Sequence, residues 1–291
     1  MRRSTGILLI LGFSISGCSP AFLANPGIDP ELYPEPQTNT ITFWGHATSY
    51  IDVGGVGIVT DPVFEDSYSP WHGRKIPAPP SSAYDQTDII LISHAHRDHL
   101  HPRSIARFSK GTVVLCPEPS AKHLDDLGLE VRVMKPGDEY EFAGGKIVAV
   151  PAHHPGGRNS FRANHDGDAL GYVIHTSSQT IYYSGDTAYF PGLSDIGLAH
   201  HPDVVILNIN GHLNSYEAIL AIGALGAPTV IPTHFGAYGG SNARRSPGWR
   251  EELQRLMGET IVSLEVGESL SWQGRQLAQD RMVSAGNPLE D

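Results

Sequence analysis

Several apolar runs in this chain lead directly into a histidine or an aspartate, and that repetition constrains the fold more than any other feature. Ile89-Ile90-Leu91-Ile92 is followed by Ser93-His94-Ala95-His96-Arg97-Asp98-His99. Ile147 to Val150 leads to His153-His154, Thr180 to Tyr183 to Ser184-Gly185-Asp186-Thr187, and Val230 to Thr233 to His234. Short apolar runs of this length read as buried strands. Functional groups gather at the carboxyl ends of strands in layered α/β folds. Imidazole and carboxylate are the nitrogen and oxygen ligands of Zn and its neighbours. In an extended segment His94 and His96 project to one side. The chain must then turn for Asp98 and His99 to meet a second point nearby. A polar, His-rich surface turn is the competing reading, and the buried strand in front of the cluster argues against it.

These segments, with Trp44-Gly45-His46-Ala47-Thr48, Thr60-Asp61-Pro62-Val63-Phe64, Pro151-Ala152-His153-His154 and Pro232-Thr233-His234-Phe235-Gly236, carry a family resemblance. The chain resembles the metallo-β-lactamase-fold hydrolases, whose signature is His-x-His-x-Asp-His followed by a distant His, Asp and His. It is most similar to the branch of N-acylphosphatidylethanolamine phospholipase D-like and ascorbate-phosphate lactonase-like proteins. The resemblance runs from about Thr40 to about Leu270. It implies two metal sites, with His94, His96 and His154 on the first metal, Asp98, His99 and His234 on the second, and Asp186 bridging both. In that branch the third ligand is the second member of an x-His pair after Pro-Ala, so the resemblance selects His154 over His153. His153 is then expected to line the pocket or support the ligands. Asp186 could otherwise be a turn-forming residue after Gly185.

Two metals ~3.5–4 Å apart lower the pKa of a shared water toward neutrality, and the hydroxide so formed is the expected nucleophile. One metal also takes up charge developing on the carbonyl or phosphoryl oxygen. Asp98 is expected to orient the hydroxide as well as to ligate. The chain has no Gly-x-Ser-x-Gly elbow and no phosphate-binding Gly-x-x-x-x-Gly-Lys loop. His212, in Asn210-Gly211-His212-Leu213, is a candidate proton donor or substrate contact, with a solvated loop histidine as its alternative. Tyr238 is a further candidate. The expected cofactor is a pair of divalent ions, Zn or else Mn or Fe. The expected substrate is a small-molecule or lipid-derived ester, phosphodiester or lactone. A β-lactam fits the branch motifs less well. A non-catalytic metal-binding envelope protein would not need every ligand.

The amino terminus carries a second signal. Arg2-Arg3 precedes an apolar stretch from Gly6 to Ile15. That stretch is short of the ~20 residues that span a bilayer but suits a secretory signal. It ends in Ile15-Ser16-Gly17-Cys18, which resembles a bacterial lipobox. Cleavage before Cys18 and acylation of its thiol are expected, with residues 19–39 as a Pro-rich tether and 40–291 as the hydrolase domain. An ordinary secretory signal with an incidental cysteine is the alternative. The expected location is the bacterial cell envelope, on the periplasmic side of the outer membrane if the cell is Gram-negative. The other cysteine, Cys116, sits in an apolar run and reads as a buried strand thiol. Net charge is −11, with no basic run, which disfavours nucleic acid as a partner.

Elsewhere, Thr40 to Thr60 reads as two strands joined by a Gly54-Gly55 turn. Pro62 to Ser82 has no periodicity and reads as a substrate-recognition loop, with Trp71 or Tyr68 as an apolar wall. Short helices are expected over Pro102–Phe108 and Ser120–Leu127, and longer ones over Tyr216–Leu225 and Pro247–Met257. The tail after Gln276 is polar and is expected to fray. Alternating strands and helices with ligands at strand ends fit a four-layer αββα sandwich of the α/β class.

Overall fold

The computed structural model describes residues 37–69, 72–155, 157–158, 168–209, 213–239, 248–274 and 276–280. The amino-terminal part opens with β1 (Thr40–Gly45), β2 (Thr48–Val53), β3 (Val56–Thr60), β4 (Ser67–Ser69) and β5 (His72–Gly73). Then come α1 (Ser81–Asp85), β6 (Ile89–Leu91), α2 (Pro102–Ile105), β7 (Val113–Pro117), α3 (Glu118–Ala121) and β8 (Glu130–Met134). The middle contains β9 (Glu139–Phe142), β10 (Gly145–Pro151), β11 (Leu170–Thr176), β12 (Thr180–Tyr183), α4 (Gly192–His200) and β13 (Val204–Asn208). The remainder is α5 (Ser215–Leu225), β14 (Thr229–Thr233), α6 (Trp249–Met257), β15 (Ser269–Gln273) and β16 (Gln276–Asp280).

These strands form an eight-stranded sheet, ordered β16-β15-β1-β2-β3-β6-β7-β8, and a six-stranded sheet, ordered β14-β13-β12-β11-β10-β9. Residue parity sends alternate side chains to opposite faces. Ile41, Phe43, Ile51, Ile89 and Leu91 of the first sheet meet Ile147, Tyr172, Ile174, Ile181 and Ile206 of the second in one core. The intervening residues face outward. Val59, Ile90, Val114 and Cys116 pack with Ala83, Tyr84, Ile105, Phe108 and Leu124. On the other side Val173, Tyr182, Val205 and Val230 pack with Leu193, Ile196, Ala218, Ile222, Leu225 and Leu253 from α4, α5 and α6. The result is the expected four-layer αββα sandwich. Central parallel strands covered on both faces read as apolar runs, as in Ile89–Leu91 and Val204–Leu207. Cys116 is a buried free thiol, and burial pushes its pKa up to about 12.

Register aligns the functional loops. Parallel pairing of β3 with β6 sets Thr60 opposite Leu91, and the Asp61 amide donates to the Leu91 carbonyl at 2.9 Å. Parallel pairing of β12, β13 and β14 sets Tyr183 opposite Ile206 and Asn208 opposite Thr233. The loops holding Ser93–His99, Asp186 and His234 therefore leave the sandwich at one end. The Leu170 amide donates to the Ser93 carbonyl at 2.9 Å, tying one sheet to the other there.

Four local expectations need correction. Thr40–Thr60 holds three strands, because Gly45 (φ 93°) and His46 (φ 58°) reverse the chain inside what the patterning reads as one strand. Both flanks of that reversal are buried, so burial pattern hides it. The Gly54-Gly55 turn is present, with both residues at positive φ. The helices expected at 102–108 and 120–127 shorten to α2 and α3, followed by isolated three-residue turns such as Leu124 N–H to the Ala121 carbonyl. Of the tail after Gln276, residues up to 280 do not fray but pair antiparallel with β15, since an open strand edge binds backbone whatever the side chains, and residues 281–291 lie outside the described residues. The 62–82 loop contains the small β4–β5 hairpin; Trp71 lies outside the described residues.

Candidate metal centre

The Ser93–His99 loop turns as its spacing requires. The amides of His99 and Leu100 both donate to the His96 carbonyl, at 3.1 and 2.8 Å, folding Asp98 and His99 back beside His94. One group of facing ligand atoms comes from His94, His96 and His154, and a second from His46, Asp98, His99 and His234; within each group the atoms lie within 4.8 Å of one another. In the first group the ring centroids are 4.5 Å apart for His94–His96 and His94–His154, with ring planes at 76° and 77°. His154 Nε2 lies 3.1 Å from His96 Nδ1. In the second group His99 Nε2 and His234 Nε2 are 3.0 Å apart, and Asp98 Oδ2 is 3.8 and 3.7 Å from them. Asp186 Oδ2 lies 3.2 Å from His99 Nε2 and 4.0 Å from His154 Nε2, so this carboxylate reaches both groups. His96 and Asp98 stay half-exposed; His94, His99, His154, Asp186 and His234 are buried.

Gly185 makes the Asp186 loop fit. Its φ is +55°, and a Cβ there would land on Ser93 Cβ of the neighbouring ligand loop. Asn208 Nδ2 donates to Asp186 Oδ1 at 3.2 Å, and Thr233 Oγ1 donates to Asn208 Oδ1 at 2.5 Å. These bonds fix the Asp186 carboxylate rather than leaving it to cap its own turn.

Asp61 is the organiser behind the ligands. It is fully buried and accepts from Ser93 N–H at 2.7 Å, Ser93 Oγ at 2.5 Å, Tyr183 Oη at 2.5 Å and His99 Nδ1 at 2.6 Å. A carboxylate offers only acceptors, so His99 carries its proton on Nδ1 and presents the Nε2 lone pair to the cluster. Ser93 Oγ, having given its proton to Asp61, accepts from His94 Nδ1 at 2.9 Å. His94 Nε2 therefore also presents a lone pair. It is buried and finds no hydrogen-bond partner among the described residues. A buried nitrogen without a partner costs about 1–3 kcal/mol. A metal ion is what an unprotonated, inward-facing imidazole nitrogen fits.

The electrostatics agree. Burial, then the neighbouring imidazoles of His99, His154 and His96, pull the His94 pKa well below its usual value, so it stays neutral. Burial does the same for His234. Burial alone would raise Asp186, but His234 and His99 overcome it and hold the carboxyl well below the usual range. Asp98 is held down in the same way by His99, His46 and His234 against its own burial. Burial lowers His99, yet Asp186, Asp98 and Asp61 together raise it well above the ordinary value, so a divalent cation held here would take the place of a proton on Nε2 while Nδ1 keeps its own. Deprotonated Asp98 and Asp186 and the neutral imidazoles of His94 and His234, sharing one pocket, are a divalent-cation donor set.

The structure thus brings together all of His94, His96, Asp98, His99, His154, Asp186 and His234. His153 is exposed and packs its ring against Phe190, 5.8 Å away, so His154 is the member of the pair that joins the cluster. Tyr238 Oη lies 2.9 and 3.1 Å from the Val63 and Glu65 carbonyls. His212 lies outside the described residues. Two contributors were missed as site residues, His46 and Asp61. The sequence signal was that each stands in a quoted motif, and the structure adds that each has positive φ, 58° and 35°, at a strand end. His234 shares that conformation at 77°. Non-glycine residues held at positive φ cluster at functional sites.

Fold and cluster together define a class. The family model described as a β-lactamase superfamily domain matches residues 57–235, and the chain belongs to that superfamily. A UPF0173 metal-dependent hydrolase of Pyrococcus furiosus is 32% identical over 241 residues, covering 79% of this chain and 98% of that protein. Another from Methanoregula boonei is 28% identical over 233 residues, covering 79% and 96%. The solved structure of Igni18, a metallo hydrolase from Ignicoccus hospitalis, has the same fold, with a TM-score of 0.62 at 22% identity over 81% of this chain and 99% of that one. The protein is accordingly a metal-dependent hydrolase of the metallo-β-lactamase superfamily.

Proposed function

We propose that this hydrolase is dinuclear and cleaves an ester, either a phosphodiester, in keeping with its resemblance to the phospholipase D-like branch, or a lactone. The observation that carries the reading is the Asp186 carboxylate, whose Oδ2 lies 3.2 Å from His99 and 4.0 Å from His154 and so stands between two ligand groups. His94, His96 and His154 would hold one ion, and Asp98, His99 and His234 the other. When bound, two divalent ions, Zn or else Mn or Fe, lower the pKa of a water and take up charge on the substrate oxygen.

The chain's own residues do the rest. Asp61 and Ser93 keep the Nε2 lone pairs of His94 and His99 turned inward. Asn208 holds Asp186 in place. Asp98, half-exposed at the mouth of the cluster, orients the attacking water. Tyr68, its ring 5.8 Å from His46 and stacked on His72 at 4.7 Å, forms an apolar wall beside the mouth. His212 is assigned to the leaving group, as proton donor or contact. The lipobox-like Ile15 to Cys18 supports an acylated anchor in the bacterial envelope, where lipid-derived esters would reach the site.

Elemental mass spectrometry of the desalted protein, with a substrate panel, tests this. Close to two ions per chain is expected, as for other two-metal hydrolases. Cleavage of a bis-aryl phosphate, with acyl lactones left intact, identifies a phosphodiesterase, and the reverse pattern a lactonase. No more than one ion after incubation with Zn, Mn and Fe rejects the dinuclear reading.

A further inference from the structure

His46 is a buried imidazole that the ligand assignment above leaves without a task. Its Nε2 lies 3.3 Å from Asp98 Oδ2. Its ring centroid is 4.0 Å from that of His234, with Tyr68 at 5.8 Å and Tyr238 edge-on at 5.6 Å. The backbone holds it there. His46 N–H donates to the Phe235 carbonyl at 2.5 Å, and His234 N–H donates to the His46 carbonyl at 2.6 Å. The two loops are thus paired as an antiparallel bridge across the gap between the sheets. His46 takes a left-handed conformation, φ 58°, to make both bonds, which non-glycine residues rarely do.

We propose that His46 is a positioning residue for the second metal, acting through Asp98 by donating its Nε2 hydrogen to Oδ2. A carboxylate can only accept, so the shared proton belongs to the imidazole, and that nitrogen has no lone pair left for a metal. Asp98 Oδ2 keeps its other lone pair aimed between His99 and His234, 3.8 and 3.7 Å away. Asp98 is a half-exposed side chain on a loop, and the His46 contact at 3.3 Å is shorter than those of Oδ2 to His234 and His99 at 3.7 and 3.8 Å. The bridge to Phe235 couples that contact to His234, so one residue sets the spacing of two ligands. This inference rests on the dinuclear reading.

The test measures metal stoichiometry and chelator competition, with the visible absorption of the Co(II)-substituted protein, for the full chain and for His46→Ala, His46→Phe and His46→Gln. His46→Phe keeps the ring packed, so a folded variant without the donor is available even if His46→Ala does not fold. The variants lacking a donor should bind the second ion about 10–100-fold more weakly, the usual loss for an outer partner of a ligand. The affinity for the first ion should not change. His46→Gln places an amide N–H near the Nε2 position and should recover most of the affinity. In an Asp98→Asn background, losing the His46 donor should add little, because the two act as one unit. Unchanged chelator competition in His46→Phe overturns the proposal. Equal losses in His46→Gln and His46→Phe, additive with Asp98→Asn, overturn it in favour of direct ligation by His46. A wild-type chain that holds only one ion overturns the dinuclear reading together with this one; two ions with an indifferent His46 overturn this one alone.

Discussion

Two histidine pairs in this protein have the same spacing and opposite meanings. His99 and His234 bring their Nε2 atoms to 3.0 Å, and His175 and His200 bring Nε2 and Nδ1 to 3.0 Å as well. The first pair is fully buried and faces Asp98 and Asp186, with Asp61 behind it. The second pair is half-buried, at the far end of β11 and the last residue of α4. Its other polar neighbour is Thr180 Oγ1, 3.4 Å from His175 Nδ1, and the nearby Glu139 is taken by Lys146 at 2.8 Å. In the second pair one imidazole simply donates to the other. In the first, Asp61 accepts a hydrogen bond from His99 Nδ1 and so turns Nε2 toward the cluster. Imidazole spacing alone is therefore not a metal site. Convergent carboxylates and an imposed tautomer make it one.

The largest effect that would sharpen this contrast is expected at Asp186. Asp186→Ala should abolish two-metal loading and reduce turnover to background without unfolding the chain, read by elemental analysis, activity and circular dichroism. Full activity in that variant would remove the distinction. A smaller loss is expected for Asp61→Asn, which leaves several buried donors facing an amide. Metal affinity should fall about 10–100-fold, and unfolding free energy by about 1–3 kcal/mol for each donor left unpaired, measured by chelator competition and denaturant titration. The smallest effect belongs to the other pair. His175→Ala should leave metal content unchanged. Burial lowers the pKa of both His175 and His200 from the ordinary value of 6.5. The folded state therefore binds these protons at lower pH than the unfolded chain does. Their contribution to stability is present above pH 6.5 and is lost as pH falls below it. Denaturation midpoints at pH 7 and pH 5.5 should accordingly differ less in His175→Ala than in the wild type. A change in bound metal would put the second pair on the same footing as the first.

The ligands were readable because each follows an apolar run, and strand ends are where layered folds put chemistry. Strands buried on both faces announce themselves by uninterrupted apolar residues, as in Ile89–Leu91 and Val204–Leu207. The amphipathic helices α5 and α6 were also visible, because local periodicity survives in them. The split of 40–60 into three strands was not, since residues on both sides of the His46 reversal are equally buried. Nor was β16, whose pairing depends on the open edge of β15 rather than on its own composition.

By itself the sequence determined the class of fold, the seven candidate ligands and their division among loops, because those depend on residue identity and local period. Only the tertiary structure decided that Asp61 sets the tautomers of His94 and His99 and that His46 stands against Asp98. Those facts depend on which loops the parallel registers bring to one end of the sandwich and on backbone conformations at positive φ. Contacts such as Asp61–Tyr183 and His46–Phe235 join residues more than a hundred positions apart, and no local pattern encodes them.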